Sequence, residues 1–268
     1  MPLSPPTSAS RFGIIIPACD EAPAIALVLE ELLRVADPEH FVIVVGVNGS
    51  SDETATIARR YPVLVAETVK RGYGYGCQAA IDLVETIAPD VVGYIFFAAD
   101  GASDPRDLAV LIRAFEEGQT FVLGARTTSL ANWPVMSLSH LIANFALASW
   151  CGLLAGRWFK DLAPLRLIER GLFHAIAPVE MTFGWTIEAQ IAAVRLGARI
   201  REVAAHERHR LAGEQKVSGV TWRRTFLIGC RIVAAGWRTW RRGRRAPRVE
   251  CAPRISAKQL LPQPQRGS

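Results

Sequence analysis

Asp100 closes an apolar run in the segment Phe96-Phe97-Ala98-Ala99-Asp100-Gly101-Ala102-Ser103-Asp104-Pro105. Val91 to Phe97 reads as a buried strand, and Asp104-Pro105 as a helix start. A carboxylate just beyond such a strand lies where open α/β sheets bind ligands. Its hard oxygens suit a divalent cation that holds phosphates. Asp100 is thus the candidate metal ligand. Other polar groups close other apolar runs. Pro17-Ala18-Cys19-Asp20-Glu21 follows the first, and Asn48-Gly49-Ser50 the second. Both are candidates to grip a nucleoside. Lys70-Arg71-Gly72-Tyr73-Gly74-Tyr75-Gly76 opens a helix, where backbone amides and a cation can face a nucleotide. Arg126, Arg210 and Lys216 can neutralise a diphosphate or an acceptor phosphate. Asp161 and Glu188 can act in catalysis or orient an acceptor.

Each of these also has a plain structural reading. The glycine run can be only a loop, and Asp100 a helix cap. Asp161 can cap a turn, and Glu188 can be an ordinary helix-face residue. Arg210 and Lys216 can be solvated charges. What favours chemistry is placement: three polar clusters fall at expected strand ends, which scattered surface charges would not do.

The elements that would hold them alternate. Strands are expected at Phe12 to Pro17, Phe41 to Val47, Val63 to Ala66, Val91 to Phe97 and Thr120 to Leu123. Between them, Glu21 to Val35 has helical periodicity, and Ser51 or Asp52 can cap a helix running to Arg60. Helices are also expected at Gly72 to Ile87 and Pro105 to Glu117. The alternation predicts an α/β fold, a mostly parallel sheet with helices on both faces, with the ends at Pro17, Val47 and Phe97 on one edge. Beyond residue 130 helices predominate, with one strand at Arg199 to Val203. Leu138 to Ala155 reads as a buried or interfacial helix pair, being short for a bilayer span.

The 268 residues are half hydrophobic, enough for a large core. Five widely spaced cysteines show neither a metal pattern nor a disulfide framework, which points to a reduced, cytoplasmic setting. Residues 1–10, rich in Pro and Ser, read as a disordered lead without secretory character. The net charge of +6 is concentrated late in the chain, where arginine recurs from Arg223 to Arg248. Residues 220–242 read as a basic amphipathic helix, either seated on an anionic inner-membrane surface or packed on the domain with a solvated face. Few aromatics interleave these arginines, chiefly Trp237 and Trp240, which disfavours nucleic acid as the partner. Residues 243–268, rich in Pro, Arg and Gln, read as a disordered tail.

From Phe12 to Gly219 the chain resembles family 2 glycosyltransferases of the GT-A fold, especially the polyprenyl-phosphate (dolichol-phosphate) branch. Ile14-Ile15-Ile16-Pro17-Ala18-Cys19-Asp20-Glu21 stands where that branch has a strand followed by Pro-Ala-Tyr-Asn-Glu. Asn48-Gly49-Ser50-Ser51-Asp52-Glu53-Thr54 matches its Asp-Gly-Ser-Thr-Asp-x-Thr loop, and Phe97 to Asp100 its Asp-x-Asp element. Arg71-Gly72-Tyr73-Gly74, Asp161 to Arg166, Phe183 to Glu188 and Arg210 to Gly219 match signatures of one bacterial subgroup. The resemblance implies one GT-A domain over residues 11–219. It implies an inverting hexosyltransferase using a UDP- or GDP-sugar with Mg2+ or Mn2+, and an acceptor of the polyprenyl-phosphate type. By the matched motifs, Pro17, Ala18, Asp20, Glu21, Asn48, Arg71, Gly72, Ala98, Ala99, Asp100, Arg210 and Lys216 would bind the nucleotide sugar, with Arg126, Asp161 and Glu188 catalytic. Val47, Asn48 and Ala98 replace acidic positions of the pattern, and Ala163, Ala212 and Gln215 replace small or polar ones. These departures leave a second reading: a catalytically weakened member that binds a nucleotide or a partner.

Overall fold

The computed structural model describes residues 10–129, 132, 134–136, 138–212 and 222–243, with backbone only at 140 and 222–226. In chain order the elements are β1 (Phe12–Ala18), α1 (Ala22–Leu33), β2 (Phe41–Asn48), α2 (Thr54–Ala58), β3 (Leu64–Thr68), α3 (Tyr73–Ile87), β4 (Gly93–Phe96), α4 (Leu108–Glu116) and β5 (Phe121–Ala125). There follow α5 (Leu138–Ala155), β6 (Arg166–Glu169), α6 (Arg170–Ile176), α7 (Trp185–Arg195), β7 (Ile200–Ala204) and α8 (Trp222–Arg242).

The seven strands form one sheet in the order β3-β2-β1-β4-β6-β5-β7. β1 pairs in parallel with β2 and β4, β2 with β3, and β5 with β7. β6 alone runs antiparallel, between β4 and β5. The carboxyl ends of the six parallel strands therefore share one edge with the amino end of β6. The expected common edge of Pro17, Val47 and Phe97 is found.

Period-two alternation fills both faces of the sheet. Ile14, Ile16, Ile95 and Phe97 point into a core with Ile25, Leu29 and Leu111 of α1 and α4. Ile15, Val44, Tyr94 and Phe96 point the other way, onto Cys77 and Ile81 of α3 and Trp185 of α7. Fully burying one such side chain stabilises the fold by about 1.5–3 kcal/mol. The contact of α3 with β2 is close enough to require glycine. A Cβ on Gly46 would lie 2.1 Å from the Gly76 carbonyl oxygen.

Four expectations are corrected. The helical region beyond residue 130 contains β6, a four-residue strand whose Arg166 is fully buried. Leu138–Ala155 is one continuous helix rather than a pair. The helix after Asp52 ends at Ala58, short of Arg60. The helix expected from Pro105 opens as a 3-10 turn over Pro105–Asp107, capped by the Asp104 carboxylate, which accepts from the Arg106 N–H at 2.9 Å. The amphipathic helix spans Trp222–Arg242 as expected. It is packed: Ala235 is fully buried, and a Cβ on Gly236 would meet Ile187, Leu154 and Trp150. The expected lead and tail lie outside the described residues, except for Ser10 and Gly243.

Candidate active site

The first cluster joins the ends of β1 and β2. Asp20 has a left-handed backbone, φ 54°. Its carboxylate accepts from the Ser51 N–H at 2.7 Å and the Ser51 hydroxyl at 3.1 Å, and pairs with Arg71. The Ser51 backbone bond is the largest influence holding its pKa below the usual carboxylate range; partial burial opposes it. Three further bonds, all donated by the first loop, lock the two loops together. The N–H groups of Asp20, Glu21 and Ala22 donate to Ser50 Oγ, Thr54 Oγ1 and Asp52 Oδ2, at 2.9, 2.8 and 2.9 Å. Pro17 and Ala18 lie beside Gly46 and Val47 in register. Asn48 is buried against α3, where a Cβ on Gly76 would lie 2.7 Å from its Oδ1. Gly72 has φ 153°, and a Cβ there would press on the Met181 carbonyl at 2.5 Å, so the turn into α3 requires glycine.

The second cluster links β1, β4 and the segment after β7. Arg210 donates from Nη2 to Glu21 Oε2 at 2.8 Å and from Nη1 to Asp100 Oδ2 at 3.1 Å. The other Asp100 oxygen accepts from the Ala102 N–H at 3.0 Å. The Leu211 N–H donates to the Asp100 carbonyl at 3.1 Å, which ties the segment to the β4 loop.

The third cluster joins the ends of β5, β6 and β7. Asp161 is fully buried. Its Oδ2 accepts from the Arg126 backbone N–H at 2.8 Å and from Nε at 2.9 Å, and its Oδ1 from Nη2 at 2.9 Å. Arg126 Nη1 donates to Glu207 Oε1 at 3.3 Å. Burial works against the Arg126 charge, yet Asp161 and Glu207 outweigh it and raise its pKa. Burial is also the main cause that pushes Glu207 up to about 7; Arg126 opposes this, and the charges of Asp100 and Asp161 reinforce it. Buried Asn132 fastens the group. Its amide donates to the Arg126 and Ala205 carbonyls at 2.8 and 2.7 Å, and its Oδ1 accepts from the Glu207 N–H at 3.1 Å.

Of the residues singled out in the sequence, Asp20 joins Arg71, Glu21 and Asp100 join Arg210, and Arg126 joins Asp161. Ala98 is half-buried and Ala99 buried on the β4 loop. Glu188 is placed apart from these clusters, at the start of α7. Its Oε2 accepts from the Val179 and Glu180 N–H groups at 2.9 and 2.7 Å, and its Oε1 pairs with Arg242 of α8 at 3.1 Å. Lys216 lies outside the described residues. Glu207 and Asn132 went unremarked in the sequence. Glu207 carried one signal, an acid shortly after an expected strand end; Asn132 carried none.

The site can be tested for a divalent cation. Asp100 is part-exposed, and among the described residues its Oδ2 pairs with the Arg210 side chain, which can move aside. Among the described residues no group of three or more His, Cys, Asp or Glu side chains could hold a metal. The donor set therefore fits a Mg2+-like ion brought with substrate phosphates and held by one carboxylate, not an all-protein cage.

A sheet of this order, with cationic and acidic clusters on one edge, is the GT-A fold of nucleotide-sugar transferases. The family model described as glycosyl transferase family 2 matches residues 13–172, and the chain belongs to that family of enzymes. A dolichyl-phosphate hexose transferase of Haloferax volcanii is 30% identical over 207 residues, covering 77% of this chain and 86% of that protein. An uncharacterised glycosyltransferase of Mycobacterium tuberculosis is 27% identical over 208 residues, covering 77% and 89%. Among solved structures, glucosyl-3-phosphoglycerate synthase of M. tuberculosis in complex with UDP superposes with a TM-score of 0.64 at 18% identity, covering 86% of this chain and 80% of that one. The same enzyme with Mn2+, UDP-glucose and glycerol 3-phosphate gives a TM-score of 0.61.

Proposed function

We propose that the chain moves a hexose, with inversion, from a UDP- or GDP-sugar to a polyprenyl phosphate. The observation that carries this reading is the Arg210 bridge between Glu21 and Asp100 on the shared strand edge. It gathers a cation and a metal-competent carboxylate where a donor diphosphate would lie.

The loops at Pro17–Glu21 and Asn48–Asp52, held rigid by their mutual bonds, grip the nucleoside beside Arg71 and Gly72. Asp100 would hold a Mg2+ or Mn2+ ion, which would supply charge neutralisation for the diphosphate leaving group. Arg210, released from Asp100, turns to the phosphates, with Lys216 as a second cation. An acceptor phosphate oxygen attacks the anomeric carbon as the bond to the diphosphate breaks, and the diphosphate leaves with the bonding pair. That oxygen is already anionic, so no strong base is needed. This suits a site in which Asp161 spends both oxygens on Arg126. Arg126, anchored this way, presents its outer edge to the acceptor phosphate. The Haloferax relative, named for a dolichyl-phosphate acceptor, supports the acceptor class. The solved structures holding UDP and Mn2+ support the donor class and the cation.

A thermal-shift panel of UDP-, GDP- and dTDP-sugars with Mn2+ tests the donor. A ligand at one hundred times its Kd stabilises by about 2.7 kcal/mol. A melting shift with UDP- or GDP-sugars is expected. No shift with any donor would contradict the proposed donor class, and a shift without donor hydrolysis in Mn2+ would favour the weakened reading.

A further inference from the structure

Asp161 takes one edge of the Arg126 guanidinium, through Nε and Nη2. That one carboxylate, fully buried, already balances the charge. The other edge ends in Nη1, and a second carboxylate sits on it: Glu207 Oε1 accepts from Nη1 at 3.3 Å. This contact lies on the open side of the cluster. The Arg126 and Glu207 side chains keep 18% and 15% of their exposure, and Asp161 keeps none. A guanidinium presents its donors as a fork that fits carboxylate and phosphate oxygens alike. The edge left for an acceptor phosphate is therefore the edge that Glu207 covers.

Glu207 is poorly placed for a purely structural ion pair. Charge-assisted bonds of this kind run about 2.7–2.9 Å. The Asp161 contacts fall in that range, and the Glu207 contact is longer. Its Oε2 is buried and accepts no hydrogen bond among the described residues, a costly state for a charged oxygen. The main chain around it, in contrast, is fixed. The Glu207 N–H donates to Asn132 Oδ1 at 3.1 Å, and the residue bridges to Ser103. The flanking His206 and Arg208 N–H groups donate to Asp107 Oδ2 and the Ala102 carbonyl, at 2.6 and 2.8 Å. The carboxylate is thus the loose part of a rigid turn. Three charged groups face it: Arg126 beyond β5, Asp100 beyond β4 and Asp161 before β6. Burial, reinforced by the two acids and opposed by Arg126, favours its neutral form and pushes it up to about 7.

We infer that Glu207 is a displaceable stand-in for the acceptor phosphate, holding Arg126 Nη1 until a phosphate oxygen takes the same place, and so sets how tightly that phosphate binds. The inference rests on the assignment of Arg126 to the acceptor phosphate made above. The ligand chemistry it specifies is a phosphate monoester, carried on a lipid or on a small soluble molecule. Ionised Glu207 competes with that group and repels it. Neutral Glu207 can instead donate a hydrogen bond to it.

Isothermal titration of the full chain, without donor or metal, tests this with two probes: a short, water-soluble polyprenyl phosphate and glycerol 3-phosphate. Glu207→Gln keeps the shape of the side chain and removes its charge. With a carboxyl titrating near 7, the neutral fraction of wild type is about one tenth at pH 8 and about nine tenths at pH 6. The variant is therefore expected to bind the polyprenyl phosphate about tenfold more tightly than wild type at pH 8, and nearly equally at pH 6. Ionisation of the probe itself is common to both proteins and cancels in the comparison. Loss of a structural contact would instead weaken binding, with no gain that grows with pH. Glu207→Ala should give the same direction if the amide variant folds poorly. With donor present, the gain should lie in the acceptor KM. Equal or weaker binding of both probes by the variants at pH 8, or no binding of either probe by any of the proteins, would overturn the inference. A gain with glycerol 3-phosphate and none with polyprenyl phosphate would uphold it and count against the lipid acceptor of the proposed function alone.

Discussion

Asp161 accepts three hydrogen bonds from Arg126, one from its backbone and two from its guanidinium, while having no exposure to solvent. The pair joins the end of β5 to the approach to β6. Removing the charge from Asp161 leaves a largely buried guanidinium with Glu207 as its one counter-charge among the described residues. Asp161→Asn is therefore expected to cost about 3–5 kcal/mol of stability, as breaking buried ion pairs does. Urea unfolding measures this. A variant as stable as wild type but inactive would show that Asp161 serves chemistry and not architecture.

Arg210 makes a different prediction. Its side chain and that of Asp100 are part-exposed, whereas Glu21 is buried. The Asp100 arm is of the surface kind, worth about 0–1 kcal/mol, and loss of the Glu21 arm adds a modest cost. Arg210→Ala should leave the melting temperature within a few degrees, yet lower kcat by about 10²–10³, the usual loss when one donor to developing charge is removed. Steady-state kinetics beside a thermal melt distinguishes the two effects. A collapsed melting temperature with unaltered turnover of the remaining folded protein would contradict the assignment.

Glu207 gives the chain a defined pH dependence. Its carboxyl titrates near 7 in the folded protein and near 4.5 when unfolded. Between those values the folded state holds more protons than the unfolded state, so stability falls as pH rises through that window and levels off above it. Glu207→Gln, which cannot ionise, should remove this component and flatten the stability curve from pH 4.5 to 7. Unfolding free energies across that range, compared between the two proteins, provide the check. Parallel curves would show that Glu207 titrates normally.

The contact between β2 and α3 yields a backbone test. Gly46→Ala would place a methyl group 2.1 Å from the Gly76 carbonyl oxygen, where only backbone movement makes room. Because Asn48 closes the same strand, both stability and nucleotide affinity should fall. Isothermal titration and denaturation of the same variant measure both. Wild-type behaviour in each would mean that α3 shifts freely and does not fix the nucleotide edge.

Much of the site was legible because buried parallel strands are continuous apolar runs, and whatever polar residues follow them must meet at the sheet edge. Glu21, Asp100, Arg126 and Arg210 are found there for that reason. β6 was not legible. Its four residues, Arg166 to Glu169, begin and end with charge, and they form a strand only because β4 and β5 offer both their edges. The partners of Glu188 were hidden for a similar reason, since Arg242 comes from a helix more than fifty residues further along the chain. Glu207 had a local signal, but its unusual affinity for a proton depends on burial beside Asp100 and Asp161, which sequence does not display. The exposure of Leu138, Ile142, Phe145 and Leu153 on α5 was not legible either. A helix without charged residues gives no hint of which face remains uncovered.

The most direct measurement is transfer of labelled hexose from UDP- and GDP-sugars to polyprenyl phosphate in anionic vesicles, with Mn2+ or with chelator, for wild type and Asp100→Ala. The expected result is a lipid-linked sugar formed by the wild type with one of these donors, lost with chelator and lost in Asp100→Ala, whose melting temperature stays near that of wild type. Absence of product with every donor, or transfer by Asp100→Ala at the wild-type rate, would contradict a site built on Asp100 and the Arg210 bridge.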